Sequence, residues 1–210
     1  MEFLIPLIIL IFSAVLHELM HGVVADKLGD PTARIMGRLT LNPIPHLDPL
    51  MSVLLPALLV FSGSPVIFGA AKPVPVNPIH FKDPKKDMAL VALAGPLTNI
   101  ALALISAQII RFLPASRLGG PLEATIESFL FLVVIYNLML SIINLIPIPP
   151  LDGSKVIAAI LPDDIARSYL SIQQFGIFIL FFLLFFPMGG FSLGQIINNL
   201  ILFSINILGI

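Results

Sequence analysis

Near its start the chain reads His17-Glu18-Leu19-Met20-His21. On a helix, positions i and i+4 stand on one face a turn apart, so both imidazoles can reach one metal ion. The glutamate beside the first histidine can then move the protons of a water at that metal, which is the chemistry of hydrolysis. Ionisable side chains in an apolar helix are costly unless they pair or serve a function. A buried polar cluster that ties helices together is the plainer reading of the same residues. A catalytic zinc takes three protein ligands and keeps one position open, so a third ligand must come from elsewhere. The remaining histidines are His46 and His80, and the carboxylates inside or beside apolar runs are Asp48, Glu123, Glu127 and Asp152. Cysteine is absent, which excludes thiolate ligands, disulfides and cysteine nucleophiles.

Asp152 closes the stretch Asn144-Leu145-Ile146-Pro147-Ile148-Pro149-Pro150-Leu151-Asp152-Gly153. The prolines end any helix before it, and Gly153 permits a turn. Read alone, Asp152 is better explained as the N-cap of a short helix from Ser154 to Leu161.

The elements that must position these residues are membrane helices. Of 210 residues, 58% are hydrophobic and only 11% are charged, against about 25% charged in soluble domains. Mean hydropathy is +1.05. This excludes a soluble enzyme and a disordered chain. The net charge of −1 implies no nucleic acid or other polyanion partner. A span needs roughly 20 apolar residues. Runs of about that kind cover 3–24, 88–112, 124–146, 172–186 and 191–210. The first lacks the basic start and cleavage site of a signal peptide. A further run, 48–69, is interrupted by Pro56 and stopped at Ser62-Gly63-Ser64-Pro65. Its helical piece, about 20 Å long, is short for a hydrocarbon core of about 30 Å, so a re-entrant segment or a kinked span is expected. Arg38 to Pro43 and Lys72 to Pro78 read as extended segments, the second as an edge strand because of its prolines. The expected fold is an all-α polytopic membrane protein. It has about five spanning helices, a re-entrant segment and short membrane-associated β-strands. It forms one domain over 1–210, with a catalytic core of about 1–160 and accessory helices over about 170–210.

Topology discriminates among the third ligands. If 48–69 spans, the 124–146 helix ends where the chain began, and Asp152 cannot meet His17, which lies about 21 Å along the first helix. If 48–69 is re-entrant, Asp152 and the histidines approach one face. In that arrangement Lys27, Arg34, Arg38, Lys72, Lys82, Lys85, Lys86, Lys155 and Arg167 share one side, with Arg111 and Arg117 on the other. Such a bias is the positive-inside pattern. It places the N-terminus outside and the metal site toward the cytoplasm, and it puts Glu123 and Glu127 on the far side.

With these motifs in place, the chain resembles the site-2 protease family of intramembrane zinc metalloproteases. The resemblance rests on the HExxH at His17–His21, on Asn144-x-x-Pro147-x-Pro149-x-x-Asp152-Gly153, and on Ala94-Gly95-Pro96 with Asn99. Leu39-Thr40-Leu41-Asn42-Pro43 and Lys72-Pro73-Val74-Pro75-Val76-Asn77 further resemble the compact bacterial members. It implies that His17, His21 and Asp152 bind one Zn2+ per chain, that Glu18 is the catalytic acid/base, and that transmembrane or signal-peptide substrates are cut near the cytoplasmic face. The PDZ and CBS domains of longer members are not expected here, so regulation by such modules is either absent or supplied by a membrane partner.

Further expectations come from spacing. Asn137, Ser141 and Asn144 form one polar stripe. The first two suit interhelical hydrogen bonds, and Asn144 is a candidate for the substrate backbone or the oxyanion. Gly95 and Asn99 suit close helix packing. His46 and Asp48 suit a polar turn, or gating of the site, and His80 a surface position. One extended segment is expected to offer an edge that captures unwound substrate by β-addition. A membrane zinc-binding or transport protein without hydrolysis is the competing function, and Glu18 discriminates, because only hydrolysis needs the base.

Overall fold

The computed structural model describes residues 4–49, 54, 58, 71–112, 120–186, 189–190 and 192–210. Three long helices form the core: α1 (Leu4–Lys27), α3 (Pro84–Phe112) and α4 (Pro121–Asn144). A single-turn α2 (Thr32–Ile35) follows α1. Beyond α4 come α5 (Asp152–Ile160), α6 (Asp163–Ser171), α7 (Gln173–Phe185) and α8 (Leu193–Leu208). Short 3-10 turns occupy Ile44–His46 and Pro78–His80.

Local sequence accounts for the ends. The Asp83 carboxylate accepts from the Lys86 N–H at 3.2 Å, and Pro84 fills the first position of α3. Lys27 sits in the last turn of α1, where the helix dipole favours a cation. Ser192 caps α8 at the Gln195 N–H, and Gly209, at φ +71°, closes it in the left-handed conformation.

α3 runs antiparallel to both α1 and α4. Small residues make this possible: Ala103 and Ala107 of α3 are buried against Val134 and Leu138 of α4, and small side chains allow close helix approach in lipid. The outward faces are apolar, with Leu4, Ile5, Leu7, Ile8 and Phe12 of α1 all exposed, as a bilayer requires. α1 ends and α3 begins at the same end of the bundle, where α4 also ends. The chain between Lys27 and Pro84 therefore returns to the side it left. The re-entrant run expected there lies outside the described residues save for Asp48, Pro49 and two isolated positions.

Two expectations are corrected. Among the described residues three helices, not five, are long and apolar enough to cross a membrane, or four if α6 and α7, bent by 64°, count as one broken span. The hydropathy of 172–186 and 191–210 is real, but the helices are short. The 13 residues of α7 and the 16 of α8 reach about 20 and 24 Å, less than a hydrocarbon core of about 30 Å. Second, no β-strand occurs among the described residues. Pro73, Pro75 and Pro78 have no N–H to give a ladder. Three of the four donors that remain are taken: Lys72 N–H by the His46 carbonyl at 2.8 Å, Val74 N–H by Glu18 at 2.8 Å and Asn77 N–H by Asp30 at 2.6 Å.

Candidate active site

The late turns of α1, the early turns of α3 and the first turn of α5 meet at one end of the bundle. His17 and His21 project from α1 one turn apart, with ring centroids 4.7 Å from each other. Asp152 arrives from the other side. Its Oδ2 lies 3.1 Å from the Nε2 of His17 and 3.1 Å from the Nε2 of His21. One ligand atom from each of the three residues falls within 4.8 Å of the others, and all three are buried. Asp152 makes no N-cap bond to α5. Its carboxylate turns instead to the histidines and, through Oδ1, to Lys155 Nζ at 2.9 Å. Gly153 lets this turn form: a Cβ there would lie 2.2 Å from the Leu145 carbonyl oxygen at the end of α4.

Val91, Gly95 and Asn99, one turn apart along α3, form the floor. The Nδ1 of His21 donates to the Val91 carbonyl at 2.7 Å, and the Nδ1 of His17 donates to Asn99 Oδ1 at 2.5 Å. With both Nδ1 atoms protonated, both Nε2 atoms carry lone pairs on the side facing Asp152. Gly95 leaves room for the rings. A Cβ at that position would lie 2.5 Å from His17 Nε2 and 2.6 Å from His21 Nε2. Two imidazoles with Nε2 turned to a common point and one carboxylate, with open space beside them, are the donor set of a three-ligand catalytic zinc site. The residues present therefore fit zinc.

That open space is a cavity of about 390 Å³ lined by His17, Glu18, His21, Asn144, Asp152 and Lys155, and walled by the segment 71–77. The segment is a strap laid over the site. The Arg38 guanidinium holds its carbonyls at Lys72 (2.8 Å) and Pro73 (3.3 Å). Its Val74 N–H donates to Glu18 Oε2 at 2.8 Å. Asp30, fully buried, fastens its far end through the Asn77 N–H and the His80 ring. Burial works to raise the Asp30 carboxyl, but bonds from Thr32, Asn77 and His80 outweigh it and hold it below the usual aspartate value.

The sequence-predicted residues thus divide. His17, Glu18, His21, Asp152 and Asn144 share one cavity. Asn144 donates to its own helix at Leu140 O, 2.9 Å away. Asn137 does bridge helices, to Asn99 at 2.8 Å and Ser13 at 2.9 Å. Glu123 and Glu127 lie at the opposite end of α4, about 30 Å from the site by helix rise. His46 is buried in a turn, its Nε2 donating to the Thr40 carbonyl at 3.0 Å. His80 is more than a surface residue, because it pairs with Asp30 at 2.9 Å. Neither extended segment, 38–43 or 72–78, forms a strand, and three of the four N–H donors of the second are engaged elsewhere. Arg38 and Asp30 were missed as site-supporting residues. No local signal marks them, since they lie 34 and 47 residues before the groups they hold.

The model of peptidase family M50 matches residues 111–187, which include α4 and Asp152. Several relatives carry the name "Putative zinc metalloprotease", among them the following two. YwhC of Bacillus subtilis is 38% identical over 194 residues, covering 91% of this chain and 84% of that protein. Rip2 of Mycobacterium tuberculosis is 32% identical over 176 residues, covering 83% of this chain and 64% of that protein. "Zinc metalloprotease MJ0392" of Methanocaldococcus jannaschii is 31% identical over 154 residues, 73% of this chain and 33% of that protein. No solved structure matches the chain. A metal-ready His-His-Asp cluster at one end of an apolar helix bundle and relatives along nearly the whole length agree, and the chain belongs to peptidase family M50, the membrane-embedded site-2 protease family of zinc metalloendopeptidases.

Proposed function

We propose that His17, His21 and Asp152 hold the zinc ion and that Glu18 is the acid/base for hydrolysis of peptide bonds in transmembrane segments near the cytoplasmic face of the cell membrane. The observation that carries this reading is the convergence of the three ligand atoms within 4.8 Å on a cavity that Glu18 also lines. Zinc supplies a water acidified to near neutral pKa and polarisation of the scissile carbonyl. Glu18 accepts the water's proton at Oε1 while the Val74 N–H holds Oε2, then returns it to the leaving amine. Asn144, on the wall of the same cavity, contacts the backbone of the unwound substrate. Lys155 holds Asp152 Oδ1, which keeps that carboxylate to a single oxygen, Oδ2, toward the histidines.

Charge supports the orientation. Lys27, Lys85, Lys86, Lys155 and Arg167 cluster at the site end of the bundle and Arg111 at the other. Lysine and arginine accumulate on the cytoplasmic side. In this reading the substrates are membrane anchors of released regulators or remnant signal peptides. The non-hydrolytic reading gives way to the family assignment.

Glu18→Gln tests the role of the base. Membranes holding the wild type or the variant are compared by mapping new peptide termini within transmembrane segments. The variant is expected to keep its zinc and produce no new termini. Cleavage at wild-type rate by Glu18→Gln would remove Glu18 from the mechanism.

A further inference from the structure

His17 and His21 each use Nδ1 in a hydrogen bond, but their acceptors differ in kind. His21 donates to a main-chain carbonyl, Val91 O, which has no alternative. His17 meets the side-chain amide of Asn99, which can present either oxygen or nitrogen. With the nitrogen toward it, His17 would have to accept at Nδ1 and carry its proton on Nε2, and the ligand atom would be lost.

The surroundings settle which way the amide faces. The Val133 carbonyl can only accept, and Asn137 Nδ2 lies 2.8 Å from it. The same nitrogen donates to Ser13 Oγ at 2.9 Å. Asn137 therefore turns its Oδ1 to Asn99, whose Nδ2 lies 2.8 Å away. Asn99 Nδ2 also lies 3.4 Å from the Ser13 carbonyl, a second group that only accepts. Asn99 Oδ1 is left facing His17. Ser13, Asn99 and Asn137 are at most 5% exposed, and in an apolar bundle no solvent replaces a lost partner. The chain of bonds crosses three helices, joining residues 38, 82 and 124 positions apart.

We infer that Asn99 is a positioning residue that sets the His17 tautomer, so that Nε2 presents its lone pair to the metal, and that Asn137 and Ser13 fix the orientation of Asn99. This rests on His17 being a zinc ligand, as proposed above. Outer partners of metal-bound histidines are worth about 10–100-fold in metal affinity.

The test uses the full chain in detergent, stripped of metal and reloaded. Zinc affinity is read by competition with a chromophoric chelator, and ligand geometry by the visible spectrum of the cobalt(II) form. Asn99→Leu, of similar volume but with no acceptor, is expected to lose about 10–100-fold in affinity and shift the cobalt bands. Asn99→Asp keeps an oxygen toward His17, and its second oxygen, protonated, can donate to Asn137 Oδ1 as the amide does, so it is expected to stay within a few-fold of wild type. Asn137→Leu is expected to lose less than Asn99→Leu, and to add nothing on the Asn99→Leu background, because it acts only through Asn99. Circular dichroism and monodisperse elution confirm folding. If Asn99→Leu does not fold, Asn99→Asp and Asn137→Leu decide alone. Wild-type affinity and spectrum in Asn99→Leu overturn the inference, as does equal loss in Asn99→Asp and Asn99→Leu, which would mean packing alone. A His17→Ala chain that loads zinc as well as the wild type would instead remove the proposed ligand, and the inference with it.

Discussion

Gly95→Ala is the smallest change that should empty the site. The added Cβ would lie 2.5 Å from His17 Nε2 and 2.6 Å from both His17 Cε1 and His21 Nε2. Carbon contacts in proteins favour about 3.5–4.0 Å, so the rings must retreat by roughly an ångström. They are held by bonds of 2.5 Å to Asn99 and 2.7 Å to Val91, so they retreat only by breaking these or by pushing α1 off α3. Metal–ligand distances tolerate only about 0.2 Å, and an ångström of misplacement in a site costs about 10²-fold in rate. Overpacking a tight interface costs about 1–3 kcal/mol. Helix propensity alone argues the other way, since alanine is better than glycine in a helix interior by about 1 kcal/mol. The two effects therefore differ in sign. Elemental analysis of purified variant and thermal unfolding of both forms separate them. Zinc well below the wild-type level with a lowered melting temperature is expected. A Gly95→Ala chain that holds wild-type zinc and melts higher would refute the close approach of α3 to the two rings.

Two further outcomes concern the strap. Arg38→Ala removes the donors to the Lys72 and Pro73 carbonyls, each bond to a charged group being worth about 1.5–3 kcal/mol. Amide exchange over 72–77 should accelerate and cleavage slow while zinc is retained, and unchanged exchange would show that Arg38 does not hold the strap. The Asp30 latch has a carboxyl held below its usual value, so its contribution is complete above the ordinary aspartate pKa of about 3.9 and is lost as pH falls through the lower folded value. Exchange at Asn77 should stay slow from neutrality down to about pH 5 and rise only below about pH 4. Release between pH 5 and 7 would show that the Asp30 carboxylate does not hold the latch.

Much of this was legible in the chain because the patterns are local. The runs 3–24, 88–112 and 124–146 anticipate α1, α3 and α4 to within a few residues, because a bilayer demands an uninterrupted apolar stretch. The i, i+4 spacing of His17 and His21 needs only a helix to bring both onto one face. Asp152 was reached by topology and charge rather than spacing, since 135 residues separate it from His17. What was not legible depends on which distant group each donor finds. Arg38 to Pro43 and Lys72 to Pro78 look like strand, yet three of the four N–H donors of the second segment find His46, Glu18 and Asp30. His80 carries no local sign of Asp30, which lies 50 residues away. Asn99 reads as a packing residue until His17 is placed against it. Hydropathy likewise reports that 172–186 and 191–210 are apolar but not that α6 and α7 bend at Ile172 or that α8 stops short.

Zinc stoichiometry in the wild type and in Asp152→Ala, measured by elemental analysis on folded, purified protein, addresses the joined His-His-Asp site with no need for a substrate. About one zinc per chain in the wild type and clearly less in Asp152→Ala are expected, as a catalytic site takes three protein ligands. Equal zinc in both would contradict the site, leaving Asp152 as a neighbour of the histidines rather than a ligand beside them.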